Sequence, residues 1–211
     1  MPSIASSSPP RAWVRLASGR RIDLLNPSAL DFEDEDIAIG LSRTPRWGGH
    51  SIWEWPMSVA QHSILVLELA KAKRRSALAD RLQLAALLHD ASEGLMAFDP
   101  ISPVKPFLGD GYKALDTRLQ VAVHVRYGLP AQLPADWITL IKDADKASAA
   151  AEARHVAGWT PQEIRQALGI TARAPAEDPI VRRYGGKPWE PWPARLAAER
   201  FQAALAGLKP R

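Results

Sequence analysis

The sequence predicts an all-α helical bundle with a small extended piece at its N-terminus. Apolar residues recur at the three- and four-residue spacing of a helix face in several segments, of which 56–73 and 136–157 are the clearest. Prolines and glycines stand near the ends of these segments, where such residues begin and end helices. A chain of 211 residues that is 46% hydrophobic can bury the core of one domain. We expect a disordered tail over residues 1–11 and a single domain over 12–211.

The first quarter of the chain is predicted to be partly extended. Alternating residues over 13–24 surround a Ser-Gly pair, which predicts a small hairpin or paired extended segments. The acidic run 31–36 is typical of the first turn of a helix, because carboxylates stabilise the positive end of the helix dipole. The loop 43–55 contains three Trp residues, which either roof the core or form a lip that faces a substrate.

Helices dominate the rest of the chain. A stiff loop with three prolines interrupts them at 99–106, and an irregular segment rich in Pro and Gly covers 171–193. We interpret the basic cluster 71–75 as a solvated helix end that the helix dipole favours. Helices are predicted over residues 56–73, from about 80 onward, and over 110–127, 136–157, 161–168 and 193–208.

The amino-acid composition limits the kinds of metal site and binding partner that the chain can have. The chain has no Cys, so a bound metal ion must be held by His and carboxylate side chains. No apolar stretch reaches the length of a membrane span and the N-terminus carries no secretory signal, so a soluble cytoplasmic protein is expected. The net charge of +4 suits anionic small molecules. Basic residues are not interleaved with aromatic ones as in single-strand binders, so no specific nucleic acid is expected as a partner.

One short stretch carries the strongest indication of function. His89, Asp90 and Glu93 follow an apolar run that begins at Leu84. If the helix continues through them, Glu93 lies on the same side of the cylinder as His89 and Asp90. That side otherwise faces the core, where charged side chains cost free energy unless they are paired or bind a metal ion.

Two other predicted helices place metal-ligating side chains on their apolar lines. His62 lies on the inward line of the first long helix, and Asp145 lies on that of the helix 136–157. Each residue alone has an ordinary explanation, such as a hydrogen-bonded core His or a buried Asp paired with an Arg. Together with His89 and Asp90 they form a mixed nitrogen and oxygen set, which suits one divalent ion such as Mn, Fe, Co or Zn.

These residues resemble the pattern of a known family. His62, the pair His89-Asp90 and Asp145 stand as in the H…HD…D motif of the HD-domain metal-dependent phosphohydrolases. The resemblance covers residues 36–157, leaves a C-terminal extension over 158–211, and implies the all-α HD-domain fold. Similarity to the bacterial 5′-deoxynucleotidase branch lies in Ser58-Val-Ala-Gln-His62-Ser, His89-Asp-Ala-Ser-Glu93, Pro103-Val-Lys105, Asp143-Ala-Asp145 and Arg46-Trp47-Gly-Gly-His50.

The resemblance implies a ligand set and a first catalytic acid. His62, His89, Asp90 and Asp145 would bind one divalent ion, with Mn, Co, Fe, Zn and Mg as the candidates. Glu93 would assist the attacking water or protonate the leaving oxygen. The same resemblance thereby implies a hydrolase of nucleotide metabolism.

The remaining roles are implied in the same way, with one departure from the family. A second catalytic Asp stands five residues after the Glu in the family, where this chain has Phe98. Asp99, six residues after Glu93, would take that role through a one-residue insertion. Arg46 would bind phosphate, for which the guanidinium fork is well shaped. Trp47 would pack on the sugar and help to exclude a 2′-hydroxyl.

Lys105 would be a second phosphate contact, and His50 is a candidate substrate contact in the Gly-Gly-His loop. The expected function is hydrolysis of deoxynucleoside 5′-monophosphates to deoxynucleoside and phosphate. The alternatives are a triphosphohydrolase of dATP-like substrates, a non-catalytic nucleotide sensor, and a scaffold whose polar cluster is only structural. Glu93 argues against the sensor, because a binding module needs no acid–base residue. Relatives of this branch are commonly dimers, and the Trp-rich surface allows a homodimer.

Overall fold

The computed structural model describes residues 11–73 and 78–209. In these ranges the fold is mostly helical, with a two-stranded hairpin before the first helix, so the predicted all-α class is confirmed. Residues 1–10 of the expected disordered tail, and Arg74 and Arg75 of the basic cluster, lie outside the described residues. The elements in chain order are β1 (Trp13–Arg15), β2 (Arg21–Asp23), α1 (Asp34–Arg43), a first 3₁₀ turn (Arg46–Gly49), α2 (Val59–Ala72), α3 (Asp80–Leu87), α4 (Ala91–Met96), a second 3₁₀ turn (Lys105–Leu108), α5 (Gly109–Arg126), α6 (Ala135–His155), α7 (Pro161–Gln166), α8 (Val181–Tyr184) and α9 (Ala194–Leu208).

The hairpin forms where the alternating pattern predicts it. β1 and β2 pair antiparallel, and Gly19 has a φ of 84° in the turn between them, a conformation that favours Gly. Ser18 donates its backbone N–H and its hydroxyl to the carboxylate of Asp36 at 2.8 and 2.7 Å. Asp36 also accepts the backbone N–H of Glu33 at 2.8 Å and so caps α1. The hairpin is thereby fastened to the first helical turn.

Helix α2 lies at the centre of the bundle. Its residues from Val59 to Leu67 are all buried, and a helix that is buried on every side has to be surrounded by other elements. It packs against α1, α3, α6 and α9. The N-cap is Ser58, whose hydroxyl accepts the backbone N–H of Gln61 at 3.3 Å, so the helix begins after Ser58 and not at Pro56 as predicted.

The predicted single helix from about residue 80 through Glu93 is two helices, α3 and α4. At the junction Asp90 has φ −113° and ψ 22°, which is outside helical geometry. Nδ1 of His89 donates to the carbonyl of Ala86 at 3.0 Å, and a continuing helix would use that carbonyl for the N–H of Asp90. The prediction that Glu93 shares a helix face with His89 is therefore wrong. Glu93 lies instead in the first turn of α4.

Helices α1 and α4 meet in backbone contact at two glycines. A Cβ added to Gly40 would lie 2.1 Å from the carbonyl oxygen of Gly94. A Cβ added to Gly94 would lie 2.7 Å from Cγ of Leu41. A larger residue at either position therefore requires one helix to move. This contact fixes the position of α4, which carries Glu93 beside Gly94.

The C-terminal extension folds back onto the bundle, where α9 packs on α1, α2 and α3. The amide of Gln61 in α2 accepts the N–H of Trp192 at 2.8 Å and donates to the carbonyl of Glu190 at 3.0 Å. Trp189 stacks on His155 at the end of α6, with ring centroids 4.9 Å apart. The irregular segment before α9 is thus held by specific contacts. Across the described ranges, the helices are too short or too polar to cross a membrane.

Candidate metal centre

Three side chains from α2 and the α3–α4 junction converge on one point. Nε2 of His62 lies 3.3 Å from Nε2 of His89 and 3.4 Å from Oδ2 of Asp90. Nε2 of His89 lies 3.1 Å from the same Oδ2. The ligand atoms of these three residues all lie within 4.8 Å of one another, so that one metal ion could reach all of them.

Asp145 joins this cluster from α6. Its Oδ1 lies 3.3 Å from Nε2 of His62, and its side chain is 40% exposed. The approach follows from the fold, because α6 packs against α2. The structure thus brings His62, His89 and Asp90 to one place and puts Asp145 beside His62.

The hydrogen bonds of the two imidazoles direct both Nε2 atoms toward this point. Nδ1 of His62 donates to Oε1 of Glu152 at 2.6 Å, and Nδ1 of His89 donates to the carbonyl of Ala86 at 3.0 Å. Each ring therefore presents Nε2 as its free ligand atom. Two acceptor lone pairs 3.3 Å apart repel each other, so a positive charge is required between the rings.

The surrounding carboxylates hold that positive charge. Burial and Arg46 lower the pKa of His62, but the neighbouring carboxylates raise it well above its usual value. Burial raises the pKa of Asp90, whereas His89 and His62 hold it well below its usual value. A metal ion between the rings would supply this positive charge in place of a proton, because a ligating His is neutral. The donor set of imidazole nitrogens and carboxylate oxygens fits a divalent ion.

Glu93 carries a buried carboxyl beside the cluster. Its Oε1 accepts from Nζ of Lys105 at 3.2 Å, and its Oε2 has no hydrogen-bond partner among residues 11–73 and 78–209. Burial raises the pKa of Glu93, Asp90 and Asp99 raise it further, and Lys105 and Arg46 lower it, with a result of about 9. A carboxyl that is protonated near neutral pH and only partly hydrogen-bonded is suited to proton transfer.

Arg46, in the first 3₁₀ turn, is a largely buried cation that bridges two acids. Its Nη1 donates to Oδ2 of Asp99 at 2.9 Å, and its Nε donates to Oε2 of Glu152 at 3.2 Å. Asp99, the predicted second catalytic acid, is thereby held at Arg46 in spite of the one-residue insertion. A guanidinium has five N–H donors, and these two bonds leave others for an anion.

Trp47 adopts a backbone conformation that is uncommon for a residue other than Gly, with φ 57° and ψ 30°. Its indole Nε1–H donates to Oε2 of Glu152 at 3.0 Å, and the residue lines the same cavity as Arg46. Such local strain persists only where the surroundings hold it, and it is typical of functional sites.

A cavity of about 670 Å³ reaches Asp145 at the edge of the cluster. Five residues predicted from the sequence to belong to the site line it: Arg46, Trp47, His50, Asp99 and Asp145. The others are placed differently. His62, His89, Asp90, Glu93 and Lys105 are not among its lining residues, and Nζ of Lys105 lies 3.2 Å from Oε1 of Glu93.

The C-terminal extension supplies one wall of this cavity. Trp159, Leu168 and Ile170 give it an apolar surface, and Lys146 of α6 adds a second cation. The extension reaches this position because α6 ends in a tight turn, where the N–H of Trp159 bonds to the carbonyl of Ala153 at 2.8 Å. These residues complete a concave, partly apolar cavity with few polar groups, which is typical of small-molecule sites.

Glu152 belongs to the site, although the sequence pattern did not single it out. It is wholly buried and lies on α6 two turns beyond Asp145, so helical spacing places both on one line. A Glu at that spacing within an Ala-rich stretch was an available indication, because a buried carboxylate requires partners. The spacing did not point to Trp159 or Lys146.

The fold and the site define a helical protein with a His and Asp cluster that could hold a metal ion. The chain is 49% identical over 173 residues to an uncharacterized protein of Rhodobacter capsulatus, and the match covers 82% of this chain and 84% of that protein. The chain therefore belongs to the same family as that protein. No protein-family model matches the chain.

Proposed function

We propose that the protein is a divalent-metal-dependent phosphohydrolase that cleaves the phosphate ester of nucleotides, with deoxynucleoside 5′-monophosphates as substrates. One observation carries the proposal. Two imidazole Nε2 atoms and two carboxylates converge within hydrogen-bond distance of His62, next to a cavity that also presents Arg46. The resemblance of these residues to the HD-domain phosphohydrolases supports the same reaction.

The metal ion would be held by His62, His89, Asp90 and Asp145, a set that fits Mn, Fe, Co, Zn or Mg. When bound, a divalent ion supplies an activated water and neutralises charge on the phosphoryl oxygens. The burial of His62, Glu93 and Glu152 strengthens the electrostatic interactions of the cluster, because it keeps bulk water away.

The chain itself binds and orients the phosphate. Arg46 is anchored through Nε by Glu152, so the rest of its fork is presented to the cavity in a fixed direction. A phosphate oxygen that reaches this fork competes with Asp99 for Nη1. Lys105 is the proposed second phosphate contact, and it would have to share its charge with Glu93.

Proton transfer is assigned to two carboxyl groups. In the reaction a water oxygen bonds to phosphorus, the bond from phosphorus to the 5′-oxygen breaks, and the leaving oxygen takes up a proton. Glu93 is proposed to protonate the leaving 5′-oxygen, because its buried carboxyl has a raised pKa and one oxygen without a partner among the described residues. Asp99 lines the cavity as a carboxylate paired with Arg46 and is proposed to take the proton of the attacking water.

The cavity supports a nucleoside as the leaving group. Its volume of about 670 Å³ is within the range of small-molecule sites. Trp47 is proposed to lie against the sugar and to exclude a 2′-hydroxyl. Trp159 and Ile170 offer a flat or apolar surface to a base, and aromatic stacking tolerates different bases.

The proposal is tested by phosphate release from a panel of dNMPs, NMPs and dNTPs by protein loaded with Mn, Co or Mg. We expect free phosphate from dNMPs and little from NMPs. Equal rates on dNMPs and NMPs would remove the proposed role of Trp47. Metal binding without phosphate release from any substrate of the panel would contradict the proposed enzymatic activity and favour the nucleotide sensor.

A second candidate is a triphosphohydrolase of dATP-like substrates, favoured by one observation. Lys146 lines the cavity in addition to Arg46, and a triphosphate needs more cationic contacts than a monophosphate does. The same panel separates the two, because this enzyme would release tripolyphosphate from dNTPs. Lys146→Met should then weaken dNTP turnover and leave dNMP turnover unchanged.

A further inference from the structure

Glu152 is fully buried in α6, and each of its carboxylate oxygens accepts two hydrogen bonds. Oε1 accepts from Nδ1 of His62 and from the hydroxyl of Ser148, both at 2.6 Å. Oε2 accepts from Nε of Arg46 at 3.2 Å and from Nε1 of Trp47 at 3.0 Å. A carboxylate has about four lone-pair positions, so these four donors use its whole capacity.

Only an ionised carboxylate satisfies all four donors. A Gln at this position has one acceptor oxygen and would turn amide N–H groups toward two of the donors. It could therefore keep one pair of these bonds but not both.

The two oxygens serve different parts of the proposed site. The Oε1 bonds fix the ring of His62, which then presents Nε2 to the metal cluster. The Oε2 bonds fix Arg46 and Trp47, which line the cavity and are proposed to receive the phosphate and the sugar. Arg46 and Glu152 are 106 residues apart in the chain, so this carboxylate joins two distant segments.

We infer that Glu152 is a positioning residue that holds the metal ligand His62 and the anion-binding turn at Arg46 in one fixed arrangement. The inference rests on the proposed function, in which both parts act on the same phosphate ester. The donors named above use both oxygens, so the residue acts through its partners. Loss of the outer hydrogen bond of a metal-ligating His typically weakens metal affinity about 10–100-fold.

The test measures the binding of Mn²⁺ and of inorganic phosphate by titration calorimetry. Inorganic phosphate is the ligand of choice because it has no sugar or base to contact Trp47. In Glu152→Gln we expect the affinity for Mn²⁺, for phosphate, or for both to fall about 10–100-fold. The matched control is Glu199→Gln, which changes an exposed glutamate of α9 and should leave both affinities unchanged.

Two milder variants separate the two oxygens. Ser148→Ala removes a donor to Oε1 only, and should weaken Mn²⁺ binding a few-fold without changing phosphate binding to the Mn²⁺-saturated protein. Trp47→Phe removes a donor to Oε2 only, and should weaken phosphate binding a few-fold without changing Mn²⁺ binding. These two variants test the role of Glu152 even if Glu152→Gln does not fold, because neither substitution alters a buried charge.

Unchanged affinities in a folded Glu152→Gln variant would overturn the inference, and so would the same pattern of effects in Ser148→Ala and Trp47→Phe. Failure of the proposed function looks different. In that case the wild type binds Mn²⁺ and phosphate, and the variants behave as described, but nucleotides release no phosphate. A wild type that binds no Mn²⁺ would contradict both.

Discussion

Glu93 and Glu152 are two buried glutamates beside the same cluster, and their surroundings are opposite. Their side chains are similarly excluded from solvent, with exposed fractions of 3% and 0%. Glu93 accepts one hydrogen bond, from Lys105, and its second oxygen has no partner within the described part of the chain. Glu152 accepts four hydrogen bonds, two of them from groups that carry or can carry positive charge.

The difference appears in the pKa of each group. Burial raises the pKa of both carboxyl groups. For Glu93 the neighbouring Asp90 and Asp99 raise it further, to about 9. For Glu152 the neighbouring Arg46 and His62 outweigh burial and hold the pKa far below its usual range. Burial alone therefore does not decide the charge of a carboxyl group here, and its partners do.

The comparison separates a group that can exchange a proton from one that cannot. A protonated carboxyl with an unpartnered oxygen can exchange its proton with a nearby water or substrate. An ionised carboxylate with every lone pair occupied holds its donors in place and stays charged. We therefore expect substitutions of Glu93 to change chemistry and the pH dependence of stability, and those of Glu152 to lower stability and weaken binding.

The largest effect is expected on turnover in Glu93→Gln. The amide keeps the shape of the side chain but cannot transfer a proton, so phosphate release should fall about 10²–10⁴-fold. Metal content, measured by elemental analysis, should match the wild type, because Glu93 is outside the predicted ligand set. Activity within a few-fold of the wild type would show that Glu93 and Glu152 do not differ in the way proposed.

The second effect is on the free energy of unfolding of the metal-free protein at pH 8, measured with urea in a chelating buffer. The pKa of Glu93 rises from 4.5 in the unfolded chain to about 9 in the folded protein. Between these values the unfolded state binds fewer protons, so stability falls as pH rises. Glu93→Gln removes this loss and should be more stable than the wild type at pH 8, with a weaker pH dependence.

In the same experiment, Glu152→Gln should be less stable than the wild type at pH 8. The pKa of Glu152 is lowered in the folded state, so its contribution is fully present above the unfolded value and remains complete at pH 8. Loss of the charge leaves buried donors such as Arg46 without an acceptor and should cost about 3 kcal/mol. That cost is within the usual 5–15 kcal/mol of a folded domain, so the variant should still fold. Equal changes in the free energy of unfolding for Glu93→Gln and Glu152→Gln would contradict the proposed difference between the two carboxyl groups.

Much of the fold follows from local sequence. The long helix predicted over 136–157 is observed as Ala135–His155. It could be predicted because the apolar periodicity and the flanking residues that indicate a helix are local features of the sequence. The hairpin follows in the same way from alternation around Ser18 and Gly19. The predicted ligands meet because His62 lies in the buried helix α2, His89 and Asp90 lie at the α3–α4 junction, and α6 with Asp145 packs against α2.

The rest depends on contacts that local patterns do not contain. The break between α3 and α4 requires the side chain of His89 to displace a helical hydrogen bond at the carbonyl of Ala86. The role of Glu152 requires partners from the first 3₁₀ turn, about a hundred residues earlier in the chain. The wall at Trp159 requires the chain to turn back after α6. Each of these features is a tertiary contact, which spacing along one element does not predict.

The smallest effect is expected in Lys105→Met, which removes the hydrogen-bond partner that Glu93 has among the described residues. Lys105 lowers the pKa of Glu93 and donates to its Oε1, so its removal should move that pKa upward. The limb of the pH profile of kcat/KM that Glu93 controls should therefore shift to higher pH, with less than tenfold loss at the optimum. Lys187→Met, which removes an exposed ammonium that pairs with Glu190 in another part of the surface, should leave the limb in place. A limb that stays unchanged in Lys105→Met would mean that burial and the neighbouring acids alone set the proton affinity of Glu93. In that case Glu93 would differ from Glu152 in the number of hydrogen bonds that its carboxyl group accepts, and not in the sign of the nearest charge.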